Sequence, residues 1–297
     1  MPLRQFHSLS QLIDELLEAV CVVDKHGVFV YLSPGAQRVF GYKPAEMRGR
    51  NMLEFMHPDD KDRTLLAVND IMAGQVKTEF ENRYIRKDGS VVHLQWSARW
   101  SEQEQVRVAV ARDITSHKQV LQQLQHLAFY DCLTGLPNRA LLMDRLQQGL
   151  ARCRRENRVL ALCFVDLNKF KQINDQYGHA AGDAALCALA TALKTALRDT
   201  DTVARLGGDE FVVLMDCQNA AEVAPVLEKL TQACQLTFLW QQQSLQLEAS
   251  IGVALYPQHA VDADSLLCLA DQAMFRAKLQ WPHLCFAGAV STDLSEK

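Results

Sequence analysis

Through much of the first hundred residues, apolar and polar positions alternate with a period of two. In "VVHLQWSARW", Val92, Leu94, Trp96, Ala98 and Trp100 alternate with His93, Gln95, Ser97 and Arg99. That period predicts a half-buried antiparallel strand. "AVCVVDKHGVFVYLS" predicts two apolar strands about an Asp-Lys-His-Gly turn. "YIRKDGSVVHLQWSARW" repeats the device, and "VRVAVARDIT" alternates again. A helical region broken by Gly and Pro, about Pro34 to Leu66, lies between these strands. The period then changes. Val120, Leu121, Leu124, Leu127 and Ala128 fall at helical spacing and predict a short amphipathic connecting helix. Such a helix either packs on one domain or forms a parallel dimeric coil, and about two turns of seam do not separate the two.

The second half mixes strands and helices. The continuous apolar run Leu160 to Val165 suits a central strand with Asp166 at its C-terminal end. "KQINDQYGHAAGDAALCALATALKTAL" predicts one helix, with Ala and Leu at core spacing after Gly182. "TVARLGGDEFVVLM" predicts a hairpin, "LEASIGVALYP" a strand, and "DADSLLCLADQAMFRAKLQ" a helix capped by Asp262 or Asp264. The whole reads as an α+β chain.

With 297 residues, the chain suggests about two domains. Its formal charge, 31 − 35 = −4, offers no basic surface to nucleic acid. No run of 18 apolar residues predicts a membrane span. The start lacks the basic and apolar regions of a signal peptide, which together with the cysteines predicts a cytoplasmic protein. Those nine cysteines are scattered singly, with no CxxC pair, and read as reduced thiols rather than a zinc site.

The candidate chemistry lies in the carboxylates. Asp166 at the end of one central strand and the Asp209-Glu210 pair at a neighbouring hairpin would converge on one sheet edge. Such an arrangement suits Mg²⁺ and nucleotidyl transfer. Gly207 and Gly208 permit positive φ in the bend and a close backbone approach to phosphate.

Residues 8–118 resemble a PAS sensor domain, on "VVDKHGVFVYLSPGAQRVFGYKPAEMRGRNMLEFMHPDD", "RYIRKDGSVVHLQWSARW" and "ARDIT". The resemblance implies a five-stranded antiparallel sheet with short helices, often enclosing a ligand. That ligand is unknown. "GRNM" is similar to a flavin photoreceptor motif, but Met52 stands where that motif has its cysteine, so no thiol adduct forms. His57 in "MHPDD" reads as a common turn of the fold rather than a haem ligand. Trp96 and Trp100, on the apolar stripe, read as core.

From about His126 to Gly288 the chain resembles the GGDEF diguanylate cyclases. "DCLTGLPNR", "VDLNKFKQINDQYGHAAGD", "RLGGDEFVVLM", "SIGVALYP" and "ADQAMFRAK" occur in order. The organisation implied is a PAS domain over 8–118, a linker helix over 119–130 and a cyclase domain of nucleotide-cyclase (palm) type over 131–290. The family joins two GTP into cyclic di-GMP and two pyrophosphates, as a homodimer with facing sites. The resemblance implies that Asp166, the Leu167 carbonyl and Asp209 hold Mg²⁺, with Mn²⁺ the alternative. Asp209, with Glu210 beside it, would assist deprotonation of the 3′-hydroxyl. Asn174 and Asp183 would bind the guanine edge. Backbone amides of Asn168, Lys169 and Phe170, with Lys171 and Lys278, would hold phosphates. His179 and Asp175 read as structural. Arg198 and Asp201, five residues before the glycine pair, match the family's RxxD site, where cyclic di-GMP binds as product and inhibitor. One departure stands out. Trp281, Pro282 and His283 replace the Gly-Arg-Asn usual after "AMFRAK". Losing that arginine would cost about 1.5–3 kcal/mol of charge-assisted binding, roughly ten- to a hundredfold in GTP use. The alternative function is therefore a catalytically weak receptor for cyclic di-GMP or GTP.

Overall fold

Alternation alone does not say which set of side chains faces the core, and the computed structural model, which describes residues 9–280 and 283–288, answers that strand by strand. The chain divides into two units, residues 1–123 and 124–297. The first unit contains α1 (Leu9–Asp14), β1 (Ala19–Asp24), β2 (Phe29–Leu32), α2 (Gly35–Phe40), α3 (Pro44–Met47), α4 (Lys61–Met72), β3 (Lys77–Ile85), β4 (Val91–Ser101) and β5 (Val106–Asp113). Its strands form one antiparallel sheet in the order β2-β1-β5-β4-β3. Val92, Leu94, Trp96 and Ala98 point into its core, as the period of two predicts, while Trp100 is half-buried against it. In β5 it is Arg107, Ala109 and Ala111 that are buried, and the alternating Val106, Val108 and Val110 are only half-buried. The region expected to be helical from Pro34 resolves into α2, α3, two short 3₁₀ turns and α4, which runs on to Met72.

Helix α5 (Thr115–Phe129) crosses the division between the units and buries no residue of its own. Val120, Leu121, Leu124 and Leu127 are all exposed on it. The second unit continues with α6 (Arg139–Glu156), β6 (Val159–Leu167), α7 (Phe170–Tyr177), α8 (His179–Ala196), β7 (Thr202–Gly207), β8 (Glu210–Cys217), α9 (Val223–Ala233), β9 (Gln235–Trp240), β10 (Gln243–Tyr256), α10 (Ala263–Ala277) and β11 (Leu284–Phe286). Its sheet runs β11-β10-β6-β8-β7, and β9 pairs with the first half of β10.

Strand β6 is buried on both faces, which is why its sequence is a continuous apolar run. Ala161, Cys163, Val165 and Leu167 join the core shared with α8 and α9. Leu160, Leu162 and Phe164 join the core shared with α6 and α10. The helix expected around "GHAAGD" is two helices, α7 and α8, parted at Gly178 with φ +82°. Asp262 caps α10, accepting from the Ser265 N–H at 2.9 Å. No helix among the described residues is long and apolar enough to cross a membrane.

Candidate active site

The site begins with register. Along the antiparallel β6–β8 pair, Asp166 stands directly opposite Glu210. Gly207 pairs with Glu210 across the β7–β8 hairpin, so Gly208 and Asp209 form its two-residue loop. Gly207 and Gly208 have φ +150° and +53°, and a Cβ at either would meet no atom within 4 Å. Backbone conformation, rather than crowding by this chain, requires glycine there. The loop is tied down from both sides. The Leu167 N–H donates to the Asp209 carbonyl at 3.3 Å. Arg205 donates from Nε and Nη2 to the Gly208 carbonyl at 3.0 and 2.7 Å. Its Nη1 reaches both oxygens of Asp131, at 2.9 and 3.1 Å. Burial works to raise the Asp131 carboxyl, but hydrogen bonds from Thr134 and the pairing with Arg205 hold it below the ordinary range. Asp131 and Arg205 were not among the expected site residues.

A pocket of about 420 Å³ opens beside the loop, lined by Asp166, Asp209, Lys171, Lys278, Glu248 and His283, and by the turn Leu167–Phe170. Asp166 is only 6% exposed, and Lys278 Nζ lies 2.8 Å from its Oδ1. Burial raises the Asp166 carboxyl even so, with Asp209 and Asp271 adding to the effect against Lys278. Glu210 is raised by burial and then by Asp166, Asp271 and Asp209. Negative charge is therefore crowded beyond what one ammonium neutralises. Glu210 lines an adjacent pocket of about 380 Å³ with Arg139, Asp264 and Asp271. Asp271 was legible in principle, since seven residues before Lys278 is two helical turns on the same face. Glu248 carries no comparable signal.

Among the described residues, no three His, Cys, Asp or Glu side chains form a ready metal cluster. The expected donors, two carboxylates and the Leu167 carbonyl, are all oxygen, and they lie where negative charge is in excess. That chemistry fits a hard divalent cation.

At the other side of the pocket, Lys169 has a left-handed φ of +56° and leads into α7. The amides of Phe170 and Lys171 lie in the first turn, where no intrahelical acceptor exists, and so suit an anion. The Asn168 amide departs from expectation. It donates to the Glu248 carbonyl at 2.7 Å, and the Asn168 Oδ1 accepts from Ser250. Asn174 on α7 packs closely over Gly182, the residue before Asp183 on α8. A Cβ on Gly182 would lie 2.0 Å from Asn174 Oδ1. Trp281 and Pro282 lie outside the described residues. His283, with φ +63°, places Nδ1 3.0 Å from the Ala277 carbonyl at the end of α10.

Arg198 and Asp201 form a turn, the Asp201 carboxylate accepting from the Arg198 N–H at 3.1 Å. Asp201 lines a pocket of about 630 Å³ whose wall includes Arg145, Arg152 and Arg155 of α6 but not Arg198. Their spacing on one face of an 18-residue helix was visible in the sequence, but their proximity to Asp201 was not. Arg152 is also paired with Asp216 at 2.7 Å, and Arg145 donates to the Thr202 hydroxyl at 3.2 Å.

Residues 128–281 match the family described as "Diguanylate cyclase, GGDEF domain", and residues 29–111 match the PAS fold. Over 166 residues, 56% of the chain, it is 42% identical to the bifunctional diguanylate cyclase/cyclic di-GMP phosphodiesterase MucR of Pseudomonas aeruginosa, covering 24% of that protein. Over 53% of the chain it is 41% identical to the diguanylate cyclase TpbB of the same organism, covering 37% of it. The chain thus spans between 24% and 37% of the length of these relatives. The solved structure of an N-terminally truncated TpbB comprising only the GGDEF domain superposes with a TM-score of 0.51 at 38% identity, over 53% of this chain and 94% of that one.

Proposed function

This chain belongs to the diguanylate cyclase GGDEF family, and we propose that it condenses two GTP into cyclic di-GMP and two pyrophosphates. The observation that carries the reading is the placement of Asp166 opposite Glu210, with Asp209 in the intervening loop, beside a pocket bounded by Lys171, Lys278 and the start of α7. In this reading Asp166, Asp209 and the Leu167 carbonyl hold Mg²⁺ or Mn²⁺. When bound, the cation offsets the charge of the triphosphate and lowers the pKa of a coordinated hydroxyl. The chain's own groups do the rest. Lys171, Lys278 and the amides of Phe170 and Lys171 hold the phosphates. Asn174 and Asp183 fix the guanine edge, Asp183 accepting from N1–H and the 2-amino group. Asp209, with Glu210 beside it, takes the 3′-hydroxyl proton. Arg205, by holding the Gly208 carbonyl, keeps Asp209 in place.

Joining two nucleotides requires two such sites face to face. A homodimer supplies them, and the exposed apolar stripe of α5 is the seam we assign to it. The PAS unit would regulate the cyclase, and cyclic di-GMP would inhibit it through Arg198 and Asp201. We place the protein in the cytoplasm, where GTP is available. The receptor reading is favoured by the pocket of Arg145, Arg152 and Arg155 beside Asp201, which suits the two phosphates of cyclic di-GMP whether or not GTP is turned over.

Purified chain with GTP and Mg²⁺, assayed for cyclic di-GMP, separates the two. The cyclase reading expects product, and expects turnover to fall to background in Asp166→Ala and Asp209→Ala while the fold survives. Either variant retaining more than about a tenth of the rate would refute the metal assignment. Binding of cyclic di-GMP without any turnover would establish the receptor reading instead.

A further inference from the structure

The PAS unit has a small cavity with one anomalous wall. Its volume is about 40 Å³, against the roughly 10–15 Å³ that one water needs on the same measure, so an occupant there has only a few heavy atoms. Most of the lining is apolar, including Val23, Phe29, Ile71 and Phe80. Arg107 also lines it, although it is only 6% exposed. Buried arginines normally pair with a carboxylate, because an uncompensated buried charge is costly. Among the described residues none lies within ion-pair distance of Arg107. Its one side-chain hydrogen bond to the described residues runs from Nη2 to the Met52 sulfur at 2.9 Å, and thioether sulfur is a weak acceptor.

The neighbouring polar groups sharpen the contrast. Trp96 Nε1 donates to Asn82 Oδ1 at 2.7 Å, Asn82 Nδ2 to Thr64 Oγ1 at 3.1 Å, and Thr64 Oγ1 to the Asp60 carbonyl at 2.6 Å. That chain is closed on itself. The Tyr84 hydroxyl is not part of it. Tyr84 is 2% exposed, lines the same cavity, lies in the field of Arg107, and makes no hydrogen bond to the described residues. Lys77, at the same wall, is already paired with Asp70 at 2.9 Å. What remains is a guanidinium and a phenol, both able to donate, facing a small apolar space.

We propose that this cavity binds a short-chain monocarboxylate of the size of acetate, its carboxylate on Arg107 and Tyr84 and its methyl against the apolar wall. A guanidinium fork matches a carboxylate in a bidentate manner, and the phenol supplies a further donor. Occupation would neutralise a charge in the core of the PAS unit. The inference concerns binding only and stands apart from the activity of the second unit.

The test is calorimetric titration of the full chain with sodium acetate, against sodium chloride at matched ionic strength and against neutral acetamide. One saturable acetate site per chain is expected, absent with acetamide. Arg107→Met, which keeps an unbranched side chain and removes the guanidinium, should weaken acetate about ten- to a hundredfold. Should that variant fail to fold, Tyr84→Phe removes one hydroxyl and keeps the ring, and should weaken acetate by several-fold. Acetate heats no different from chloride, equal binding of acetamide, or unchanged affinity in a folded Arg107→Met or Tyr84→Phe chain would each overturn the proposal.

Discussion

Gly182→Ala separates the guanine contact from the fold. Gly182 lies in α8 one residue before Asp183, and Asn174 of α7 packs over it. A Cβ there would sit 2.0 Å from Asn174 Oδ1, 2.9 Å from its Cγ and 3.1 Å from Phe170 Cε2. The first two separations are far inside van der Waals contact, so the Asn174 amide must swing away. It can do so, because it is the end of a flexible side chain. The helix itself gains, since alanine is favoured over glycine in a helix interior by about 0.8–1 kcal/mol. Stability should therefore hold or rise slightly. The guanine loses the hydrogen bonds of one neutral amide, worth about 0.5–1.5 kcal/mol, or roughly two- to tenfold in kcat/KM for GTP. The assay pairs thermal melting with GTP kinetics, in the single variant and on an Asn174→Ala background. In that background the methyl has no amide to displace, so the two changes should not add in kcat/KM. A Gly182→Ala enzyme with unaltered kcat/KM for GTP, or full additivity with Asn174→Ala, would refute the role given to Asn174.

Arg198→Ala should raise the inhibitory concentration of cyclic di-GMP about ten- to a hundredfold while leaving the initial rate alone, and unchanged inhibition rejects that site. Gly252→Ala should destabilise the second unit, because its Cβ would lie 2.0 Å from both the Ala270 carbonyl oxygen and the Met274 nitrogen, backbone atoms that cannot turn away. Overpacking of about 1–3 kcal/mol lowers Tm by roughly 2–12 °C, and an unchanged melt contradicts the close approach of β10 to α10. Asp60 is 3% exposed and accepts from the Arg83 N–H at 2.7 Å, from Arg83 Nε at 3.1 Å and Nη2 at 2.9 Å, and pairs with Arg63 at 3.2 Å. These bonds, Arg83 first, hold its carboxyl well below the ordinary range. A depressed carboxylate adds stability above its unfolded pKa of about 3.9 and loses it as pH falls. Urea midpoints of the PAS unit should therefore drop below about pH 4, with much of that slope absent in Asp60→Asn.

Local chemistry determined much of this protein from sequence alone. The period of two in β4 fixed Val92, Leu94, Trp96 and Ala98 on the core face, because one face of that strand is buried and the other is not. The unbroken apolar run of β6 announced a strand covered on both sides, and the pair Asp262 and Asp264 announced the start of α10, where the fold uses Asp262 as the cap. The meeting of Asp166 with Asp209 and Glu210 was also legible, since a carboxylate at a strand end and a pair in a hairpin leave few placements in one sheet. Tertiary structure decided the remainder. In "VRVAVARD" the valines look like the inner face, yet β5 turns Arg107 inward, because the core supplies a cavity and no sequence period records a cavity. Asp131 and Arg205 are 74 residues apart, and only the packed fold brings their charges to 2.9 Å. The same holds for the α6 arginines beside Asp201. Electrostatic pairing depends on distance in space, and hydrophobic periodicity encodes only which way each element faces.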